Sequence, residues 1–552
     1  MNTEGQYYLG YLYRLLGRNA DSEENLWACT YTPSFKHPAF YQLALISAVE
    51  GNYAEALDHV EQSLLVGAHD LQALTLKAWL LRKLDRKTGA QDVLRLIKSI
   101  DPLDYMSEAE QSFLDNGDAS FLAGTRRNRS EGIIAVQEVL EMASNYLTFG
   151  AREDARKLLD AALATGTPFS DYPLVHLYKA YSLLPDDVSA AAAEIRTAGI
   201  LSPDNNFPLR IEEIGMFEGL LSLQPDDAFL HYCFGNLLYY LGQKEEGLKH
   251  WHRSAELAPG FALACRNVGF GEGQAGNLEE SMKYYDRAIA GNPEDPMLLT
   301  ESDRICERAG VASGVRLERL EKSYRTVLKH DDAVMRLLSL YNQTGNCSKA
   351  IKLMNARHFH LWEGGGEIHG IYVDSHMLNG LSLLGKKKFS NAVEEFELAL
   401  QYPANLEVAP SAGSGYEAKA CYLQGLAYEG LRQPEKAKAA FEKAVSGNDH
   451  GLNDLKFCKV KALRKMGKTV EAGKILDAMI AQKKSLEKNL VDSYAKFGAS
   501  DRNVQESNLL YFSGLVKELQ GDEAGAKADF SEALKLDPGN IWADYMNKNK
   551  IF

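Results

Sequence analysis

The stretch DAFLHYCFGNLLYYLGQKEEGLKHWHRSAELAPG at 227–260 is followed at once by a second stretch of similar design, FALACRNVGFGEGQAGNLEESMKYYDRAIAGNPED at 261–295. Pro259 and Pro293 occupy the same place in the two stretches and lie 34 residues apart. Each stretch has room for two amphipathic helices joined by a glycine turn and ended by the proline. A repeat of this length predicts a stack of helix pairs in which each pair packs on its neighbours.

The same spacing of small, aromatic and proline residues returns along the chain. We expect a small residue in the first helix to let the second helix approach closely, and a turn glycine to adopt a positive φ. We expect each proline to end the second helix. The recurring positions are Gly235, Gly269, Gly380, Gly425 and Gly514 in first helices; Gly242, Gly276 and Gly521 at turns; Phe396, Phe441 and Phe530 in second helices; and Pro102, Pro203, Pro259, Pro293 and Pro538 after second helices.

These positions resemble the tetratricopeptide repeat (TPR), a helix–turn–helix unit of the same length. The resemblance implies an all-α fold, an α-solenoid in which TPR-like pairs form a right-handed superhelix. It divides the chain as follows: 1–104, N-terminal TPR-like repeats; 105–135, a linker or irregular segment; 136–205, TPR-like repeats; 206–227, an inserted helix; 228–356, TPR repeats; 357–372, a glycine-interrupted loop; and 373–552, C-terminal TPR repeats and a cap.

Length and charge exclude several classes of protein. The 552 residues exceed what one hydrophobic core of about 250–300 residues accommodates, which a repeat array explains without separate domains. The net charge of −14 disfavours nucleic acid as a partner. No run reaches the roughly 18 apolar residues of a membrane span, and the start lacks a signal-peptide pattern. We therefore expect a soluble, cytoplasmic protein that does not insert into membranes.

Two segments carry a narrower resemblance. SPDNNFPLRIEEI at 202–214 and RHFHLWEGGGEIHGIYVDSHMLNGL at 357–381 resemble the C-terminal half of a family of large bacterial proteins. In that family an uncharacterised N-terminal β-sandwich domain of the sugar-mutarotase kind precedes a TPR array. The resemblance implies that the partner of this chain is such a β-sandwich domain, upstream in a longer polypeptide or on a separate subunit, or else another protein.

The first candidate site is an aromatic-lined groove on the first helices. Its side chains offer broad apolar faces that bind at low entropic cost, although the rings are equally consistent with packing between helices. A clamp for a C-terminal peptide needs Lys early in the first helix and Asn one turn later, and no unit has that pair. The candidate groove residues are Tyr41, Trp79, Tyr232, Asn236, Arg266, Phe270 and Tyr422.

The second candidate is the loop RHFHLWEGGGEIHG, where three glycines interrupt any helix. A docking loop with Trp362 as an anchor and a self-packed plug between repeats both remain open. A metal reading places ligands at His358, His360 and Glu363, but spacing fixes no clean third ligand, so we expect no metal and no cofactor. The candidate loop residues are Arg357, His358, His360, Trp362, Glu363 and Glu367.

The sequence therefore predicts a non-catalytic scaffold for protein–protein or domain–domain interaction, with the groove and the docking loop as binding surfaces. The alternative is an accessory half of a carbohydrate-processing enzyme whose catalytic β-sandwich lies outside this chain, with Glu363 and Glu367 as an acid/base pair. The motifs of P-loop nucleotide hydrolases, α/β-hydrolases and zincin proteases do not occur in the sequence, so the enzyme reading has no motif to support it.

Overall fold

A computed structural model describes residues 2–123, 132–184, 186–360, 367–409, 416–446, 454–493 and 499–549. Within these ranges the regular structure is helical throughout and no strand occurs, which confirms the predicted all-α class. The chain divides into two compact units, Met1–Val268 (unit 1) and Gly269–Phe552 (unit 2). Each unit is a stack of antiparallel helix pairs, as an α-solenoid requires.

Among its described residues, unit 1 holds fourteen α-helices and the start of a fifteenth, which crosses the unit boundary. Short 3₁₀ turns lie at Ser120–Ala123 and Phe169–Asp171. The α-helices are α1 Thr3–Leu15, α2 Asn19–Cys29, α3 Pro33–Val49, α4 Tyr53–Leu64, α5 Leu71–Lys83, α6 Lys87–Ile100, α7 Tyr105–Asn116, α8 Gly132–Thr148, α9 Arg152–Ala164, α10 Pro173–Leu183, α11 Val188–Ile200, α12 Glu213–Leu223, α13 Ala228–Tyr240, α14 Lys244–Leu257 and α15 Ala262–Ala275.

Unit 2 continues the series to the last described residues, with one 3₁₀ turn at Ala404–Leu406. Its helices are α16 Leu278–Gly291, α17 Pro296–Arg308, α18 Ser313–Lys322, α19 Tyr324–Val327, α20 Asp331–Gln343, α21 Cys347–Asn355, α22 Glu367–Gly385, α23 Phe389–Leu398, α24 Glu417–Gly430, α25 Pro434–Ser446, α26 Asp454–Lys465, α27 Thr469–Ser493, α28 Ala499–Gln520, α29 Glu523–Leu536 and α30 Ile541–Lys548.

The repeat positions do what their residue types predict. A Cβ built at Gly425 would lie 2.2 Å from the ring of Phe441 in the paired helix, so only glycine fits there. Gly242 has φ +87° and forms the left-handed turn between α13 and α14. The helix before Pro259 ends at Leu257, as expected of a residue that blocks helix continuation. The predicted roles of these positions are confirmed.

Three segments depart from the regular period. The predicted linker 105–135 begins with helix α7, which Asp104 caps by accepting from the Ser107 N–H and which buries Phe113. The insertion 206–227 holds α12. We predicted the segment 357–372 as a loop. Helix α22 begins at Glu367, directly after the three glycines in the sequence, so the last residues of this segment, 367–372, are helical.

The first helices of unit 2 pack side by side and form its inner scaffold. Helices α20, α22, α24, α26 and α28 each contact the next in this order, and we call them the first-helix layer of unit 2. One cluster of buried apolar side chains runs beneath them from Leu299 to Phe530. All seven cysteines of the chain are free and buried, and burial raises the pKa of Cys347 and of Cys421 to about 11.

Candidate functional site

Three of the predicted groove rings are buried in the helix stack. Trp79 is 1% exposed and donates its Nε1–H to Asp154 Oδ2 at 2.9 Å. Tyr232 packs on Phe261 with ring centroids 4.9 Å apart, and buried Tyr422 packs on Phe441 of its own pair. The prediction that these rings line an open surface is therefore wrong, because each fills the space between neighbouring helices.

The polar groove candidates of unit 1 are engaged with one another. Asn236 Oδ1 accepts from Trp251 Nε1 at 2.9 Å and from Asn267 Nδ2 at 2.8 Å. Arg266 donates to Asn267 Oδ1 at 3.2 Å. Half-buried Phe270 follows one turn later on α15. These contacts hold helices α13, α14 and α15 together, which is a structural role.

Tyr41 belongs to a cluster of aromatic and polar side chains on α1 and α3. Arg14 Nε donates to Gln42 Oε1 at 2.6 Å, and the Arg14 guanidinium lies 5.5 Å from the ring centre of Tyr11. Burial lowers the pKa of Arg14, while nearby Tyr11, Tyr41 and Glu212 act in the opposite direction. Arg14 is a cation on an aromatic surface, and sequence reasoning overlooked it because it searched only the early helix position.

The opposite side of α1 exposes apolar residues. Tyr8, Leu12 and Leu16 are 55%, 48% and 67% exposed. They follow each other at intervals of four, so they lie on one face of the helix. The other face is closed, because Gly10 packs against Leu26 of α2. The YLGYLYRLL periodicity of this helix was the available sequence signal, and it marks an apolar stripe that the described residues leave uncovered.

The segment before α22 is fixed by side chains from neighbouring elements. Arg357 donates to Asp331 Oδ1 and to the Leu328 carbonyl, each at 2.8 Å. Asp331 Oδ2 also accepts from the His360 N–H at 2.9 Å. Arg357 is therefore held within unit 2, and the prediction that it reaches a partner is wrong. Trp362 and Glu363 lie outside the described residues, as does the side chain of Glu367.

His358 and His360 meet a carboxylate that comes from the next loop. His358 Nε2 lies 2.7 Å from Glu407 Oε1, and His360 Nδ1 lies 3.8 Å from the same oxygen. The two imidazole rings are 4.9 Å apart. Sequence reasoning paired these histidines with Glu363, whereas the structure brings Glu407, which follows the 3₁₀ turn Ala404–Leu406.

Helix α30 lies on the first-helix layer of unit 2. Trp542 donates its Nε1–H to Asp374 Oδ1 of α22 at 2.8 Å, and Lys419 of α24 lies over the Trp542 ring. Asn540 donates to Ser507 Oγ of α28 at 3.0 Å. A short helix at the end of unit 2 thus covers part of the layer on which a groove was predicted.

A buried charge cluster supports this cap. Arg316 and Asp303 are 2% and 4% exposed and form a bidentate pair with two bonds of 2.8 Å. Arg336 bonds to Asp303 and Glu307. Burial raises the pKa of Asp537, which precedes α30, and Glu307 acts in the same direction. The loop before α30 therefore lies beside this buried charge cluster of Asp303, Arg316 and Arg336, which we call the platform.

The sequence model of the family described as "Tetratricopeptide repeat" matches residues 418–446. These residues span the helix pair α24 and α25. No helix among the described residues combines the length and the apolarity that a membrane crossing requires.

The solved structures that match this chain include the following three proteins. MamA from Desulfovibrio magneticus RS-1 is 16% identical over 36% of this chain and 97% of its own, with a TM-score of 0.22. YrrB, described as a TPR protein with an unusual peptide-binding site, is 16% identical over 46% and 97%, with a TM-score of 0.21. The P58(IPK) TPR domain is 14% identical over 85% and 99%, with a TM-score of 0.22.

Proposed function

We propose that this chain, a tetratricopeptide-repeat protein, is a non-catalytic scaffold that binds another folded protein domain through helix α1. The observation that carries the proposal is the exposed apolar stripe of Tyr8, Leu12 and Leu16. Scattered exposed apolar residues are ordinary on protein surfaces, but a contiguous apolar stripe marks an interaction site.

The stripe supplies the apolar area for binding. Burial of apolar surface contributes about 25 cal/mol for each Å² removed from water. The surface thus suits a domain with an apolar patch of its own.

The family resemblance adds the kind of domain, a β-sandwich. This proposal replaces the aromatic groove, because Trp79, Tyr232 and Tyr422 are in the core. Tyr41 of the predicted groove belongs to the cluster around Arg14 on α1 and α3 and is not part of the stripe. Of the described docking-loop candidates, His358 and His360 remain in the proposal. Arg357 is left out because it is bonded to Asp331.

The test places a photo-crosslinking amino acid at Leu16 in the full chain, expressed in its native host. The matched control places the same group at Leu65, which is 73% exposed at the end of α4 in the same unit. We expect a crosslinked protein at Leu16 that is absent at Leu65, identified by mass spectrometry.

The identified protein is then purified and its affinity for variants is measured. Leu12→Asp and Leu16→Asp should each weaken binding about tenfold, which corresponds to about 1.4 kcal/mol, whereas Leu65→Asp should not change it. The same crosslinks at both positions, or equal affinity of all three variants, would show that α1 is not the binding surface.

A further inference from the structure

We propose that His358, His360 and Glu407 of unit 2 form a binding site for a divalent transition-metal ion of the zinc class. The proposal does not depend on binding through α1. Their candidate ligand atoms, one from each side chain, all lie within 4.8 Å of one another. Across the described ranges, this is the one group of three histidine, cysteine or carboxylate ligands that comes together in this way.

The backbone presents both imidazoles on the same side. Phe359, which lies between them, is 0% exposed, and its N–H donates to the Asn405 carbonyl at 2.9 Å. In an extended segment, alternate side chains point to the same side. Because Phe359 is anchored in the core, His358 and His360 both face outward, where they are 52% and 81% exposed.

The third ligand is held by the same bonds. Asn405 Nδ2 donates to the Met354 carbonyl at 2.9 Å and to the Arg357 carbonyl at 2.8 Å, which ties the 3₁₀ turn to the histidine segment. Leu406 is 1% exposed and anchors the turn in the core. Glu407 comes next, so its carboxylate is brought to the histidines by the buried Leu406 and the bridging amide of Asn405.

The 2.7 Å contact of His358 with Glu407 is a hydrogen bond, which a bound metal ion would replace after small movements of the three side chains. Ligand atoms bound to a tetrahedral zinc ion at about 2.0–2.1 Å lie roughly 3.3 Å from one another. The observed separations from Glu407 Oε1, 2.7 Å and 3.8 Å, lie on either side of that value. An exposed histidine–carboxylate pair needs only one imidazole, and His360 is too distant from the oxygen to share its hydrogen bond.

Ligand chemistry selects the class of ion. Two imidazoles and one carboxylate suit zinc and its neighbours in the first transition series, whereas calcium and magnesium prefer oxygen ligands alone. Three protein ligands leave the fourth tetrahedral position to water.

A second histidine pair in unit 1 provides a contrast. His231 and His250 approach to 2.8 Å between their Nδ1 atoms. Burial and the nearby His231 lower the pKa of His250 to about 4. This pair belongs to no described three-ligand group, so it tests whether close imidazoles are sufficient.

The experiment titrates zinc into the full-length, tag-free chain after removal of metal with a chelator, by calorimetry. We expect one saturable site per chain. His358→Ala, His360→Ala and Glu407→Ala should each weaken binding at least about tenfold, since loss of even an outer-shell partner costs roughly 10–100-fold. Cobalt should give the visible absorption of a tetrahedral complex in the parent chain and lose it in the three variants.

Two matched controls decide the interpretation. His69→Ala removes an exposed histidine elsewhere, and His231→Ala with His250→Ala removes the contrasting pair; both should bind zinc as the parent does. All three ligand side chains are solvent-exposed, so their variants should keep the parent circular-dichroism spectrum. The absence of saturable binding, or binding that survives the three ligand variants, would overturn the proposal.

Discussion

Unit 1 begins with a helix that leaves an apolar stripe open, whereas unit 2 ends with a helix that buries its aromatic residue. Leu16 of α1 is 67% exposed. Trp542 of α30 is half-buried and bonded to Asp374. Both helices are amphipathic and both are terminal in their units. The two helices therefore differ in whether their apolar residues are packed against neighbouring helices.

The platform, which is the buried cluster around Asp303 and Arg316, lies beside the loop that precedes α30. Asp303 and Arg316 are nearly inaccessible and bidentate, and Arg336 adds a second cation. The apolar cap residue Trp542 lies against Lys419 on the first-helix layer. The stripe of α1 has no comparable partner among the described residues, and Arg14 lies on the opposite side of the same helix.

The largest loss of stability is expected from Arg316→Ala, which removes one member of the buried ion pair with Asp303. Removal of one member of a buried ion pair leaves the other charge partly uncompensated and costs about 3–5 kcal/mol. Hydrogen exchange should therefore accelerate in unit 2 and remain at the parent rate in unit 1. Arg319→Ala is the control, since Arg319 is 41% exposed and its pair with Asp286 should be worth less than about 1 kcal/mol. Equal effects of the two substitutions would contradict the platform.

A smaller effect is expected from Trp542→Ala, which removes the cap and makes unit 2 resemble the open end of unit 1. Loss of a half-buried indole should cost about 2 kcal/mol and increase exchange in α20, α22 and α24. Leu16→Ala should change the free energy of unfolding by less than about 0.5 kcal/mol, because Leu16 is already exposed. If both substitutions destabilise equally, the contrast between the two ends is wrong.

The smallest effect, and one of opposite sign, is expected from Asp537→Asn. Burial raises the pKa of Asp537, so its ionised form is less favourable in the folded state than in the unfolded chain. This cost to the free energy of folding is present above the folded pKa. It is lost as the pH falls from the folded pKa to the unfolded pKa. Asn removes the penalty, keeps the bond from the Gly539 N–H, and should stabilise the chain by less than about 1 kcal/mol at neutral pH.

The change of stability at acidic pH distinguishes Asp537 from Asp303. Burial raises the pKa of Asp303, but the bonds and charges of Arg316 and Arg336 outweigh it, and the net shift is downward. Its stabilising contribution is therefore present above the unfolded pKa, near 3.9, and is lost as the pH falls through the folded value. The gain from Asp537→Asn, in contrast, should vanish in acid; a gain that persists there would contradict the assigned cause.

The sequence predicted the fold well because its evidence is local. Gly425 and Phe441 are sixteen residues apart, and the approach of their helices follows from their sizes. The positive φ of Gly242 follows from its residue type and its place between two helices. Such features need no knowledge of distant elements, so the period alone predicted the stack of helix pairs. The same period could not tell that Trp79 and Tyr422 face into the stack, since a ring between helices and a ring on a surface have the same spacing.

The candidate sites were harder to predict because their residues are distant in sequence. Glu407 reaches His358 through a turn whose position depends on Asn405 bridging to the Arg357 carbonyl. Trp542 and Asp374 lie 168 residues apart. Neither pairing leaves a motif, because the contact arises only when the helix pairs are stacked.

The buried cysteines make local opening of the helix stack measurable by a chemical reaction. While it is buried, a thiol whose pKa is about 11, as for Cys347 and Cys421, is almost entirely protonated at neutral pH, so it reacts only after opening removes the burial that raises its pKa. Cys29 and Cys233 lie in unit 1, and Cys421 and Cys458 lie in unit 2. Alkylation at each position therefore records how often its own stretch of helix separates from its neighbours, without any foreign label in the chain.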